Sequence, residues 1–272
     1  MSTFGFKVKA LVSAVIMTAA AGASATALSS VVITGSVIVW GEGAGGLLVP
    51  VPQTATSIAN ALGGNASAPG GNIELSKFGG PVTTLSGVAG AHHVTLSSLT
   101  SADWTNNGNA LAIQYIQDAA VSTFGVQLGA ADLNTALHNF LVVDIDPGVS
   151  TRFLWQLVSD PNISYVDVTG NKLSVGLAGL FNATAFLNNL SVGTAAPVLT
   201  GVHQVSEVVK VGFDNSDPVY LYGFKATPSG VHAPDMVSYT GNYDVALAVP
   251  EPAGLALLGV GLFGLLAARR RA

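Results

Sequence analysis

No cysteine occurs in the 272 residues. Disulfide frameworks, thiolate zinc centres and cysteine nucleophiles are therefore excluded, and stability has to come from burial. Charge is scarce too: only 9% of residues are charged, with ten lysines and arginines against fifteen aspartates and glutamates. Five of those ten cations, Lys7, Lys9, Arg269, Arg270 and Arg271, sit at the chain ends. With Glu251 also set aside, residues 26–248 hold five basic against fourteen acidic side chains, a formal charge of −9. Nucleic acid needs a basic footprint, and anionic lipid attracts basic segments. Neither partner fits this surface. Chain disorder is excluded by the hydrophobic content of 49%. No H-E-x-x-H, H-x-H or G-x-S-x-G occurs, so zincin and nucleophile-elbow chemistry have no signature here.

What the sequence does have stands at its two ends. Ala253 to Ala268 is an uncharged apolar run of sixteen residues, preceded by Pro250-Glu251-Pro252 and followed by Arg269-Arg270-Arg271. As a helix it would span about 24 Å, a little short of the roughly 30 Å hydrocarbon core. Its four glycines are tolerated in lipid, where the backbone has no competing partner for its hydrogen bonds. The arginines orient the span with their end in the cytoplasm and everything before Pro250 outside. At the other end, Lys7 and Lys9 precede an uncharged run from Ala10 to Ala23. Ala23-Ser24-Ala25 fits the A-x-A cleavage pattern, so residues 1–25 read as a signal peptide and the mature chain is expected to begin at Thr26.

Together, "VPEP", the apolar span and "RRR" over residues 249–271 resemble the PEP-CTERM sorting signal of bacterial exosortase substrates. The resemblance implies that Pro250, Glu251 and Pro252 form the motif read by exosortase. It also implies Sec export, transient anchoring in the inner membrane, and release to a cell surface or exopolysaccharide matrix. It covers less than a tenth of the chain and transfers a route, not an activity.

Residues 26–248 read as mainly β, a sandwich-like exterior domain with a helical insert at about 101–160. Ser29 to Trp40 is rich in Val and Ile, and suggests one long strand or a pair around Gly35. Residues 41–72 read as loop with one short helix near Thr56–Leu62. Gly70–Phe78 and Val94–Leu99 read as strands. Helical spacing begins near Ser101, with Asp103 as a cap and Ala112, Ile116, Ala119 and Phe124 on one face. A second helix is expected over Asp132–Leu141, carrying Leu133, Leu137, Phe140 and Leu141, and a third over Thr151–Val158. Strands return at Ile163–Val168 and Lys172–Leu177 around Thr169-Gly170-Asn171. His203–Phe213 and Val219–Phe224 follow, flanking Asn215-Ser216-Asp217-Pro218, and Met236–Leu247 supplies a last strand or pair.

Candidate chemistry in this body is thin. Gly41-Glu42-Gly43-Ala44-Gly45-Gly46 spells G-x-G-x-x-G, but Pro50 and Pro52 interrupt any following helix and no acid lies twenty residues on. It reads as a surface loop. His92-His93 would point to opposite faces of a strand, and His138, His203 and His232 lack ligand spacing. No metal ligand and no cofactor is assigned. Asp144-Ile145-Asp146 and Asp214-Asn215-Ser216-Asp217 place oxygens close together, as calcium accepts, though turn chemistry uses the same residues. Trp40, Trp104, Tyr220 and Tyr222 are candidates to stack on sugars or to pack inside. The sequons at Asn65, Asn162, Asn182 and Asn189 read as chance in an Asn/Ser/Thr-rich chain. The expectation is an exported, non-enzymatic envelope or matrix protein, structural or glycan-binding. A secreted glycan-active hydrolase and a calcium-stabilised adhesion module are the alternatives.

Overall fold

The computed structural model describes residues 26–75, 80–179, 182–190, 198–214 and 216–248. The signal-peptide segment with Ala23 and Ala25, the tail with Pro250, Glu251, Pro252 and Arg269–Arg271, and Asn215 lie outside the described residues. Thirteen strands are described: β1 (Thr26–Ala27), β2 (Ser29–Thr34), β3 (Val37–Glu42), β4 (Leu48–Val51), β5 (Gly71–Leu75), β6 (Thr84–Ala89), β7 (His92–Ser97), β8 (Asn162–Thr169), β9 (Lys172–Gly179), β10 (Val209–Phe213), β11 (Val219–Leu221), β12 (Thr227–Pro228) and β13 (Gly241–Ala248). The helices are α1 (Ala55–Ala61), α2 (Ser101–Phe124), α3 (Ala130–Leu141) and α4 (Thr184–Leu190), with 3-10 turns at Ala44–Gly46 and Leu154–Val158. The fold is mostly β, as the patterning indicates. None of the described helices is long and apolar enough to cross a membrane.

The strands form two antiparallel sheets. One runs β12-β13-β9-β8-β5-β3-β4, with β1 added beside β8; the other runs β11-β10-β7-β6-β2. In β6, β7 and β10 buried and half-exposed positions alternate, which is the period of a strand with one covered face. Leu85, Val94, Leu96, Val209 and Val211 from this sheet share one apolar cluster with Ile73, Ile163, Val175, Leu177 and Val245 from the larger sheet. The two sheets therefore pack face to face through that cluster.

Ser29 to Trp40 gives two strands, but they do not pair with each other. β2 bonds to β6 in the smaller sheet, and β3 bonds to β5 and β4 in the larger one. Gly35 makes the crossing at φ +96°, where an added Cβ would lie 2.7 Å from Thr83 Oγ1. Only glycine adopts that backbone with that neighbour. β4 and β6 were not expected as strands; the covered face of β6 is Leu85, Gly87 and Ala89, two of them small, so its alternation in burial is barely visible as apolar alternation in the sequence. Pro50 is accommodated because β4 is an edge. At the far end Met236–Thr240 is a turn, and the last strand begins only at Gly241.

The hairpins expected over Ile163–Leu177 and His203–Phe224 both form, the first over Asn162–Gly179 and the second shortened to Val209–Leu221. Thr169 pairs with Lys172 across the two-residue turn Gly170-Asn171, and Val211 pairs with Val219.

A second apolar cluster lies among the helices. Trp104, Tyr115 and Phe140 are each fully buried, with ring centroids 5.0–6.0 Å apart. Leu154, Trp155, Phe186 and Leu187 complete it. The helix expected over Thr151–Val158 is a short 3-10 turn, Leu154–Val158, stopped before Pro161. α4 lies outside the 101–160 segment and joins the same cluster. It is two turns long and follows a stretch of 3.6-period signal too brief to read.

Candidate functional site

α2 is not continuous. Thr100 and Asp103 form a capping box, in which the Thr100 N–H donates to Asp103 Oδ2 at 2.9 Å. The backbone then leaves the helix: Asn106 is extended (ψ 156°), and Asn107, Gly108 and Asn109 are left-handed at φ +50°, +67° and +65°. Helical geometry resumes afterwards and ends at Gly125, left-handed at φ +71°. The expected cap, Asp103, thus occupies the third helical position while Thr100 caps.

Asp103 has a second set of partners. Lys210 Nζ of β10 donates to its Oδ1 at 2.9 Å, and the Tyr220 hydroxyl of β11 donates to the same oxygen at 2.9 Å. Lys210 Nζ lies 5.8 Å from the Tyr220 ring centroid, within cation–π reach. Burial works to raise the Asp103 pKa, but the bonds from Thr100, Lys210 and Tyr220 outweigh it and hold the carboxyl below its ordinary value. Burial and the Asp103 bond raise the Tyr220 phenol. These residues, with Asn106, Asn107 and Pro218, line a cavity of about 260 Å³.

A separate polar row lies on the larger sheet. Glu74 pairs with Asn162 across β5 and β8, and Asn162 pairs with Ala178, which in turn faces Asn242. Residues 229–240 fold over this face. Val231, Ala233 and Tyr239 pack on Leu48 and Ala178, with Trp40 against Tyr239 at 5.5 Å. Trp40 Nε1 donates to Glu74 Oε2 at 3.1 Å. Glu207 accepts from the Asn162 N–H at 2.8 Å and from Asn162 Nδ2 at 3.1–3.2 Å. Desolvation, then repulsion from Asp160, pushes the Glu207 pKa well above the carboxylate range despite the Asn162 bonds. These acids do not line that cavity; Glu74 and Asp160 are buried. A glycosidase needs two carboxyl groups facing a substrate cleft.

The sequence candidates fall as follows. Trp104 is in the helical core, donating to Ser159 Oγ at 2.8 Å. Tyr222 donates to Asp118 Oδ2 at 2.7 Å and packs on Tyr115. Asp144 Oδ1 accepts the N–H groups of Asp146 and Arg152, both at 3.0 Å; the Arg152 bond, then the Asp146 bond, lowers its pKa. Asp214 accepts from His92 Nδ1 at 2.8 Å and from the His93 N–H at 2.9 Å, and the His92 bond is the main reason its pKa falls. Asp144 thus serves its own loop, while Asp214 ties the end of β10 to the start of β7. No group of three or more His, Asp or Glu side chains among the described residues is arranged to hold a metal ion. The Gly41–Gly46 run enters no helix that could hold a phosphate; it is the end of β3 and a 3-10 turn. Lys210 was the residue sequence reading missed. It reads as one exposed charge on a strand until α2 is laid against it.

Residues 248–271 match the family described as the PEP-CTERM protein-sorting motif. No curated protein and no solved structure matches the chain. The tail therefore carries a PEP-CTERM sorting motif, and that motif implies an exported protein that passes through the membrane and is processed by exosortase.

Proposed function

We propose that this is a non-enzymatic component of the cell envelope or exopolysaccharide matrix, structural or glycan-binding, exported by Sec and sorted by exosortase. The carrying observation is the sorting motif at residues 248–271, attached to an acidic, cysteine-free body. In this reading residues 1–25 are the signal peptide, cleaved after Ala25, and residues 26–248 are the exterior part. Ala253–Ala268 holds the substrate in the inner membrane, with Arg269, Arg270 and Arg271 in the cytoplasm, while Pro250, Glu251 and Pro252 are read by exosortase.

The test uses the full-length chain in a bacterium that carries exosortase. Replacing Pro250-Glu251-Pro252 by alanines should leave export intact but keep the unprocessed protein in the inner-membrane fraction. Normal tail removal in that variant overturns the sorting assignment. The matrix role is checked by deleting the gene: unchanged exopolysaccharide retention by the cells, together with no binding of their exopolysaccharide by the purified protein, overturns it.

A further inference from the structure

We propose that the cavity between the break in α2 and the β10–β11 hairpin binds one neutral sugar ring, the terminal or side residue of a glycan. The proposal rests on the glycan-binding reading above and gives it an address.

Size comes first. At about 260 Å³ the cavity falls below the roughly 300–1,000 Å³ of drug-sized sites, which admits a single ring and excludes a buried oligosaccharide. Charge comes second. Asp103 and Lys210 are paired at 2.9 Å, so the site is close to neutral and offers no net attraction to an anion or a cation. The chain as a whole is acidic, at −5, which further disfavours phosphate or sulfate.

Hydrogen-bonding capacity comes third. Both Asp103 oxygens are already used: Oδ2 accepts from the Thr100 N–H and hydroxyl, and Oδ1 from Lys210 and Tyr220. The carboxylate is a strut and is not free to act as an acid or base. Asn106 and Asn107 are different. Both are exposed, both line the cavity, and neither side-chain amide has a hydrogen-bond partner among the described residues. Each amide offers a carbonyl acceptor beside an NH₂ donor, the pairing that adjacent hydroxyls of a sugar satisfy. Lys210 Nζ has donors left after Asp103.

The backbone supports the same site. Asn107 and Asn109 take left-handed φ in the first turns of a 24-residue helix, and irregular geometry of this kind persists where the surroundings enforce it and concentrates at binding sites. The break turns the two asparagines into the cavity mouth. Pro218 and the Tyr220 ring supply the apolar wall on which the C–H face of a sugar packs.

The experiment titrates purified full-length protein with neutral sugars (glucose, galactose, mannose, N-acetylglucosamine and rhamnose) and with inorganic phosphate, by calorimetry. Binding to its own exopolysaccharide is measured in parallel. At least one neutral sugar is expected to bind and to compete with the exopolysaccharide, while phosphate does not bind. Asn106→Ala with Asn107→Ala should weaken the sugar at least tenfold. Ala110→Phe, which fills the cavity and removes no hydrogen bond, should do the same with the circular dichroism spectrum unchanged. Exopolysaccharide binding that survives both variants overturns the cavity assignment and leaves the glycan-binding reading standing. Loss of all glycan binding in the native protein overturns both. Phosphate binding without sugar binding overturns the ligand class.

Discussion

Trp104 Nε1 donates to Ser159 Oγ at 2.8 Å, and both residues are fully buried. The same hydroxyl donates to the Trp155 carbonyl at 2.6 Å, and the Ser159 carbonyl accepts the Leu99 N–H at 2.9 Å. One serine thus ties the start of α2, the 3-10 turn and the end of the β7 segment together. Ser159→Ala should leave the indole N–H buried without a partner, at a cost of about 1–3 kcal/mol. Urea unfolding followed by tryptophan fluorescence measures it. Ser122→Ala, on the exposed side of α2, should shift stability by less than about 0.5 kcal/mol.

Gly176 has the ring of Tyr165 and the hydroxyl of Ser164 over its Cα, leaving no room for a side chain. Tyr165 sits across the β8 bulge from it and bonds to Asp244. Gly176→Ala should force the ring aside and destabilise the fold by about 1–3 kcal/mol, the usual cost of overpacking. Adding Tyr165→Leu should recover part of that loss in a double-mutant cycle, because the clash goes with the ring.

Glu207 provides the pH dependence. Its folded pKa lies well above the ordinary 4.5, raised by desolvation first, then by Asp160, with Glu74 adding to it. For a carboxyl raised on folding, the folded state holds the proton more tightly. Its contribution is therefore fully present below the unfolded pKa and lost as pH rises through the folded value. Wild-type stability should decline across pH values above about 4.5 from this group. Glu207→Gln keeps an acceptor for the Asn162 N–H, and should flatten that decline in melting temperature measured from pH 4 to 8. An unchanged profile would remove Glu207 as its source.

Asp144 governs the loop at 144–153. With Oδ1 accepting two backbone N–H groups, the melting temperature should fall in Asp144→Ala, and saturating EDTA should leave the wild type unmoved. A chelator-induced drop would restore the calcium-stabilised adhesion reading.

The hairpins at Gly170-Asn171 and before Val219 were legible because alternation and turn residues are local properties. Helical spacing across Ala112–Phe124 and Leu133–Leu141 was legible for the same reason. Gly35 shows where that legibility stops. The glycine marked a turn, but whether the flanking strands pair or part depends on β5 and β6, which lie elsewhere in the chain. Trp104 could not be placed by its own neighbours either, since a tryptophan suits a sugar platform and a core equally well.

The tail needed no fold to be read. A short motif, an apolar run and a basic cluster lie side by side in the sequence, so the sequence alone determined the sorting motif, matched at residues 248–271. The cavity at Asp103 is the opposite case. Its Lys210 and Tyr220 partners lie 107 and 117 positions away, and strand register brings them onto a broken helix. Long-range pairing follows from burying both clusters at once, a property of the whole chain that no window of sequence contains.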